Sequence, residues 1–152
     1  MNSRISHELV TRGDGKQINV VRKVGQLFVC SDACCCGQID SGNPAVPLKQ
    51  LQTEWEQRKL RNKVHLTIGG CLGPCDLANV AMLLFDGRPL WLHSFHTPEQ
   101  VTALYDYIEA MLQAQSFLPT PPSLQPYEFN AFDWHKSSDD CETAETMEVR
   151  AR

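Results

Sequence analysis

The sequence lacks the features that mark several large classes of protein. It has no excess of positive charge, since its formal net charge is −4, and we therefore expect no nucleic-acid partner. No apolar run approaches the roughly 18 residues that a membrane span requires, so no membrane span is expected. The polar beginning of the chain contains no apolar segment typical of a signal peptide, which predicts a cytoplasmic protein.

A Cys-x-x-Cys pair is also missing, although the chain contains seven cysteines. A thioredoxin-type redox enzyme needs that spacing, because the second cysteine must resolve the disulfide that the first one forms. Thiol redox catalysis is accordingly the weakest interpretation, and we do not expect an enzyme. In a reducing compartment, an odd and clustered set of cysteines more often binds a metal.

The hydrophobic pattern predicts one compact domain over residues 24–117. Its elements are a strand at 25–30, a helix at 47–62, a strand at 63–71, a hairpin around the "DGR" turn and a capped helix at 97–115. The β-α-β crossover makes the first two strands parallel. This order, β-α-β and then β-hairpin-α, predicts an α/β fold that is thioredoxin-like, with a small mixed sheet and helices packed on it.

Three further segments flank the predicted domain. Residues 1–23 form a polar N-terminal arm with a short strand in "QINVVRK", and residues 118–135 form a proline-rich and aromatic extension. The aromatic part of this extension, with Phe132 and Trp134, is expected to fold back on the domain or to anchor a partner. Residues 136–152 are polar and charged, which predicts a disordered tail.

Six of the seven cysteines lie in two loops, and each loop follows one of the two parallel strands. The first loop, "CSDACCCG", contains Cys30 and the run Cys34–Cys36, and the second, "GGCLGPCD", contains Cys71 and Cys75. Because parallel strands end at the same edge of a sheet, the loops are expected to converge. Four thiolates can bind zinc or hold an iron–sulfur cluster. The wide pairs and the glycines, which let N–H groups approach sulfur, favour a [2Fe–2S] cluster over zinc.

The spacing Cys30-x4-Cys35-x35-Cys71-x3-Cys75 and the stretch "GGCLGPCDLANVAMLLFDG" resemble the thioredoxin-like [2Fe–2S] ferredoxins. That family is similar to the small [2Fe–2S] subunit of NADH:quinone oxidoreductase, and the resemblance covers about residues 24–115. It implies a cluster held by Cys30, Cys35, Cys71 and Cys75, which passes single electrons between protein partners. It also allows a homodimer, since related ferredoxins dimerise. The redox partner is not identified by the sequence.

The runs "CCCG" and "FNAFDW" resemble a bacterial subgroup of ferredoxin-like or predicted metal-binding proteins, some of them linked to cobalt and cobalamin metabolism. The alternative function is therefore a module that holds zinc or delivers cobalt or iron. In either case Cys36 is the first alternative to Cys35 as a metal ligand, and Cys34 is the second alternative. No role is expected for Cys141.

The histidines offer a different set of candidate ligands, because histidine replaces cysteine on one iron of Rieske centres. Rieske ligation requires a Cys-His pair in each loop, and neither cysteine loop contains a histidine. His65, His93 and His96 are therefore expected to be surface or structural residues. Asp76, directly after Cys75, is expected to act in a local turn.

Overall fold

A computed structural model of the chain describes residues 6–31 and 42–133, apart from the side chain of Cys75. The predictions for Cys34–Cys36, Cys141, Trp134 and the tail at 136–152 lie outside the described residues. The strands are β1 His7–Thr11, β2 Gln17–Val21, β3 Gly25–Val29, β4 Val64–Ile68, β5 Ala81–Phe85, β6 Arg88–Leu92 and β7 Glu128–Phe129. The α-helices are α1 Leu48–Gln57 and α2 Pro98–Ala114, and short 3-10 helices cover Leu60–Asn62, Cys75–Leu77 and Gln125–Tyr127.

Five strands form one mixed sheet in the order β4-β3-β5-β6-β7. Strands β3 and β4 are parallel, whereas β5 runs antiparallel to β3, β6 to β5 and β7 to β6. The predicted α/β class and the parallel β-α-β unit are confirmed. Helix α1 ends earlier than predicted, at Gln57, because Lys59 adopts a left-handed conformation with φ of 56° and a 3-10 turn follows.

Both helices pack on the same face of the sheet. Alternate strand residues, among them Leu27, Val29 and Leu83, point toward the helices and join a single buried core. The hydroxyl of the buried Tyr105 on α2 donates a hydrogen bond to the carbonyl of Leu51 on α1 at 2.7 Å. This bond fixes the two helices against each other inside the apolar core, where an unpaired hydroxyl would be costly.

Two local signals in the sequence are confirmed in the structure. Asp86 and Gly87 have φ values of 48° and 76° and connect β5 to β6, as a two-residue type I′ hairpin turn requires. At the start of α2, the Thr97 side chain accepts a hydrogen bond from the Gln100 N–H, and the Gln100 side chain accepts one from the Thr97 N–H. This reciprocal capping box, followed by Pro98, sets the first residue of the helix.

The N-terminal arm contains a β-hairpin rather than a single strand. The predicted strand is β2, and it pairs antiparallel with β1, which the sequence did not indicate. All ten strand residues of this hairpin are exposed, so the hairpin forms a separate two-stranded sheet. The pattern of "HELVT" is short and has no buried face, and periodicity therefore gave no signal for it.

The extension after α2 folds back on the domain. Leu124 is fully buried in the core, and β7 adds a short fifth strand beside β6. The ring of Phe129 lies edge-on to Trp91, with 6.0 Å between the ring centroids. Neither described helix is both long and apolar enough to cross a membrane.

We predict that Tyr105→Phe lowers the free energy of unfolding by about 1 kcal/mol, because it removes one buried hydrogen bond and leaves the ring packing intact. Urea unfolding followed by circular dichroism measures this loss. Tyr127→Phe is the matched control, since that half-buried tyrosine packs through its ring. Equal stability of the Tyr105 variant and the wild type would contradict the assigned role of the bond.

Candidate metal centre

The two cysteine loops meet at one end of the sheet. In the parallel pair, Val29 at the end of β3 lies opposite Ile68 at the end of β4, and Cys30 follows Val29 directly. Beyond these strands, Ser31 and Gly70 form an isolated antiparallel bridge. The beginning of the first loop therefore lies against the beginning of the second, which is the convergence that the strand order predicts.

The path of the second loop follows from the direction of β5. Strand β5 runs antiparallel to β3 and begins at the end of the sheet where β3 and β4 finish. Because β3 lies between β4 and β5 in the sheet, the chain from 69 to 80 must cross the end of β3. The Cys30 N–H donates to the Val80 carbonyl at 3.0 Å, so the end of this crossing is fixed beside Cys30.

Backbone N–H groups of the second loop point at two cysteine sulfurs. The Leu72 N–H donates to Cys30 Sγ at 3.2 Å, and the Gly73 N–H donates to Cys71 Sγ at 3.3 Å. Such bonds stabilise negative charge on sulfur, because the N–H dipole ends in a partial positive charge. The Leu72 bond also joins the two loops, since the donor belongs to one and the acceptor to the other.

Glycine is required in the second loop by backbone conformation and not by lack of space. Gly70 and Gly73 have φ values of 69° and 114°, which L-residues with a side chain rarely adopt. A Cβ atom at either position would meet nothing within 4 Å. The tight path that brings the N–H groups of Leu72 and Gly73 toward sulfur therefore depends on these two residues.

The candidate centre lies partly inside the protein and partly at its surface. Cys30 is only 2 % exposed, and its neighbour Ser31 is also buried, whereas Cys71 is exposed. A group bound between these side chains would contact the protein core on one side and reach solvent on the other. Burial on one side protects a bound group, and exposure on the other gives a partner access to it.

Asn79 is a structural residue of the site that the sequence analysis did not identify. Its side chain is fully buried, and its Nδ2 donates to the Pro44 carbonyl at 2.6 Å. The Asn79 carbonyl accepts the Phe95 N–H at 2.9 Å, and its φ is 56°. Asn79 thus joins the end of the first loop to the end of the second. The available signal was a polar residue directly before an apolar strand, at a position where asparagine tolerates a left-handed conformation.

Several predicted site residues cannot be placed in this geometry. Cys34, Cys35 and Cys36 lie outside the described residues, and of Cys75 the structure gives the backbone, at the start of a 3-10 helix. Among the side chains that are described, no group of three or more His, Cys, Asp or Glu is arranged to hold a metal ion. The predicted ligand set is therefore represented here by Cys30 and Cys71. Exposed Asp76 lies in the same 3-10 helix, in agreement with its predicted role in a turn.

The histidines occupy other parts of the molecule. His93 Nδ1 lies 2.9 Å from Ser94 Oγ, and its ring packs against Tyr127 and Phe129. Burial lowers the pKa of His93 below its usual value, so this imidazole is neutral at pH 7. His65 is exposed on β4. That none of them binds a metal stays a prediction.

Neither the comparison with protein-family models nor the search of curated proteins found a match to this chain.

We predict that Asn79→Ala lowers the free energy of unfolding by about 2 kcal/mol, because the Pro44 carbonyl loses its donor and alanine is strained at this φ. Asn79→Gly removes the same donor without that strain, and we expect a loss of about 1 kcal/mol. Urea unfolding of both variants separates the two causes. If the alanine variant is as stable as the glycine variant, the positive φ at position 79 causes no strain, and the prediction is contradicted.

Proposed function

We propose that the protein is a one-electron carrier that holds a [2Fe–2S] cluster between its two cysteine loops. The observation that supports this most directly is the hydrogen bond from the Leu72 N–H to Cys30 Sγ. It brings the backbone of one loop to the sulfur of the other. N–H donors directed at cysteine sulfur are the feature by which proteins stabilise the negative charge of an iron–sulfur centre.

The proposed ligands are Cys30, Cys35, Cys71 and Cys75, with Cys36 as the alternative to Cys35. When bound, the cluster supplies a site that takes up and releases one electron. The chain contributes the four thiolates, the N–H groups of the second loop and a partly buried position. The N–H groups favour the more negative, reduced state and so raise the reduction potential. The exposed side of the centre, at Cys71, is where a redox partner would approach.

The strand order supports a thioredoxin-like assignment of the fold. In that fold a β-α-β unit provides two parallel strands, and a β-hairpin and a helix complete the domain. The described sheet has two parallel strands, β3 and β4, followed by an antiparallel β5–β6 pair and helix α2. The proposal includes a cytoplasmic location, since thiols that bind a metal must stay reduced.

A metal-handling module is the second candidate, and the exposure of Cys71 favours it. A site that passes zinc, cobalt or iron to a partner needs ligands that exchange, and an exposed thiolate exchanges more readily than a buried one. The additional cysteines at 34 and 36 would serve the same exchange. Such a module would lose its metal to a chelator and would show no reversible reduction.

We predict that the protein, purified or reconstituted without oxygen, contains two irons and two labile sulfides per chain, as a [2Fe–2S] cluster requires. It should absorb visible light, bleach on reduction with dithionite and then give an electron paramagnetic resonance signal. Iron and sulfide assays and these two spectra measure the result. A colourless protein with one zinc per chain would overturn the electron-carrier proposal and support the metal-handling module.

Single serine substitutions identify the ligands. We expect Cys30→Ser, Cys71→Ser and Cys75→Ser to lose the cluster or to change its resonance signal strongly, because each removes a thiolate. Among the three adjacent cysteines, Cys35→Ser should have the same effect, whereas Cys34→Ser and Cys36→Ser should not. Cys141→Ser is the matched control. A normal signal from Cys35→Ser together with loss in Cys36→Ser would transfer the ligand role to Cys36.

A further inference from the structure

Strand β4 is an outer strand of the five-stranded sheet, and one of its edges is open. Among the described strands only β3 pairs with it. The other outer strand, β7, has two residues, whereas β4 has five. Proteins usually blunt a long exposed edge with charged residues, proline or a bulge. The sequence of β4, "VHLTI", has no Lys, Arg, Asp, Glu or Pro, and its register with β3 has no bulge.

The register with β3 decides which backbone groups of β4 face outward. In a parallel pair, alternate residues of a strand direct both their N–H and their C=O to the neighbour. The Gly69 N–H donates to the Val29 carbonyl at 3.1 Å, so the residues that bond β3 are those at even spacing from Gly69. Leu66 and Ile68 lie at odd spacing, and their N–H and C=O groups therefore point away from the sheet.

A cleft runs along this open edge, between β4 and helix α1. Its lining residues are Gln52, Trp55 and Glu56 of the helix and Leu66 and Ile68 of the strand. Trp55, Leu66 and Ile68 pack against the hydrophobic core, so the floor of the cleft is apolar. The Trp55 indole N–H donates to the Val64 carbonyl at 3.2 Å, which fixes the ring beside the strand. A strand added to the edge would place every second side chain over this floor.

Positive charge is concentrated near the beginning of β4. Lys63 directly precedes the strand, and Lys23 Nζ donates to the Arg61 carbonyl. Burial lowers the pKa of Lys23, and the nearby positive charges of Arg61 and Lys63 lower it further. Arg61 pairs with Glu56 at 3.2 Å, but both side chains are more than half exposed, and such a pair is weak. This end of the cleft therefore favours a bound segment that carries carboxylates.

The other end of β4 leads to the candidate metal centre. Ile68 is the last residue of the strand, and the exposed Cys71 follows three positions later. An added strand lies only about 4.8 Å from its neighbour. A segment paired along this edge would therefore bring the protein to which it belongs close to the exposed side of the centre.

We propose that the open edge of β4 is the docking site for an extended segment of the redox partner. The segment adds as an antiparallel strand, which is the more stable pairing, and its backbone bonds Leu66 and Ile68. Alternate apolar side chains of the segment fill the cleft beside Trp55, and carboxylates at its C-terminal end lie near Lys63. Naming the partner as a redox protein rests on the proposed function, whereas the docking surface does not.

A synthetic peptide is the probe, and the full-length protein is its target. The peptide has valine and threonine in alternation, followed by two C-terminal glutamates. We expect it to slow the hydrogen exchange of the Leu66 and Ile68 amides, measured by nuclear magnetic resonance, because it supplies acceptors to these outward N–H groups. The His65 and Thr67 amides already bond β3 and should change little. A matched peptide with lysines in place of the glutamates should bind about fivefold more weakly.

Proline at position 66 tests the backbone pairing. The Leu66 N–H faces outward, so Leu66→Pro removes a donor to the peptide and no hydrogen bond to β3. Leu66→Ala is the matched control, because it loses the same apolar side chain and keeps the N–H. We expect the proline variant to bind the peptide about fivefold more weakly than the alanine variant. Circular dichroism shows whether both variants are folded.

A charge variant tests the same site without altering the strand. We expect Arg61→Gln to weaken binding of the glutamate peptide by about threefold, and the loss should shrink at high salt. Lys16→Gln is the matched control, since Lys16 lies in the connection between β1 and β2. It removes the same charge and should leave binding unchanged.

Four results would overturn the proposal. The first is no peptide binding at millimolar concentration, and the second is equal binding by the two Leu66 variants and by Arg61→Gln and the wild type. The third is slow exchange of the Leu66 amide in the monomer without peptide, which would show that the chain covers its own edge. The fourth is self-association that Leu66→Pro abolishes, which would assign the edge to a second copy.

Iron and sulfide assays on the same sample separate this proposal from the proposed function. Peptide binding by a protein that forms no cluster would retain the docking surface and remove the redox identity of the partner. A protein with a complete cluster that fails to bind the peptide would retain the electron carrier and remove the docking surface.

Discussion

The parallel register of β3 and β4 is the constraint on which the candidate site depends. It brings both strands to an end at the same edge of the sheet, with Val29 opposite Ile68. Because β5 starts at this edge on the far side of β3, the connection from β4 to β5 has to cross the end of β3. The crossing brings the Leu72 N–H to Cys30 Sγ, and the site is thus a consequence of strand order as well as of cysteine spacing.

Much of this arrangement could be predicted because its signals are local. The alternation in 64–68 predicts a strand, Asp86-Gly87 predicts a two-residue turn, and Thr97 with Gln100 predicts the beginning of a helix. The β-α-β crossover then makes the first two strands parallel without any information on distant contacts. The convergence of the two loops follows from that parallel pair, whereas the place of β5 beside β3 was not predicted.

What could not be predicted depends on contacts between distant residues. Asn79 is important because its side-chain amide donates to the Pro44 carbonyl, 35 positions earlier in the chain. The periodicity of apolar residues does not predict such a bond. Strand β1 exists because its backbone pairs with β2, although its side chains are not buried against the domain. The earlier end of α1 at Gln57 reflects the left-handed Lys59, which helix propensity alone does not reveal.

The candidate site and the sheet face that points away from the two described α-helices have a common cause in the segment from 69 to 80. These twelve residues connect β4 to β5 and contain a short 3-10 helix, with glycines at the positive φ values that the cysteine loop requires. A helix that covers the second face of the sheet needs about ten residues, and it needs a connection at each end in addition. The twelve residues of this segment already form the cysteine loop, so they leave no room for such a helix. The segment that brings backbone N–H groups to the sulfurs is therefore also a reason why no helix of the described residues lies above Phe28, Met82 and Trp91.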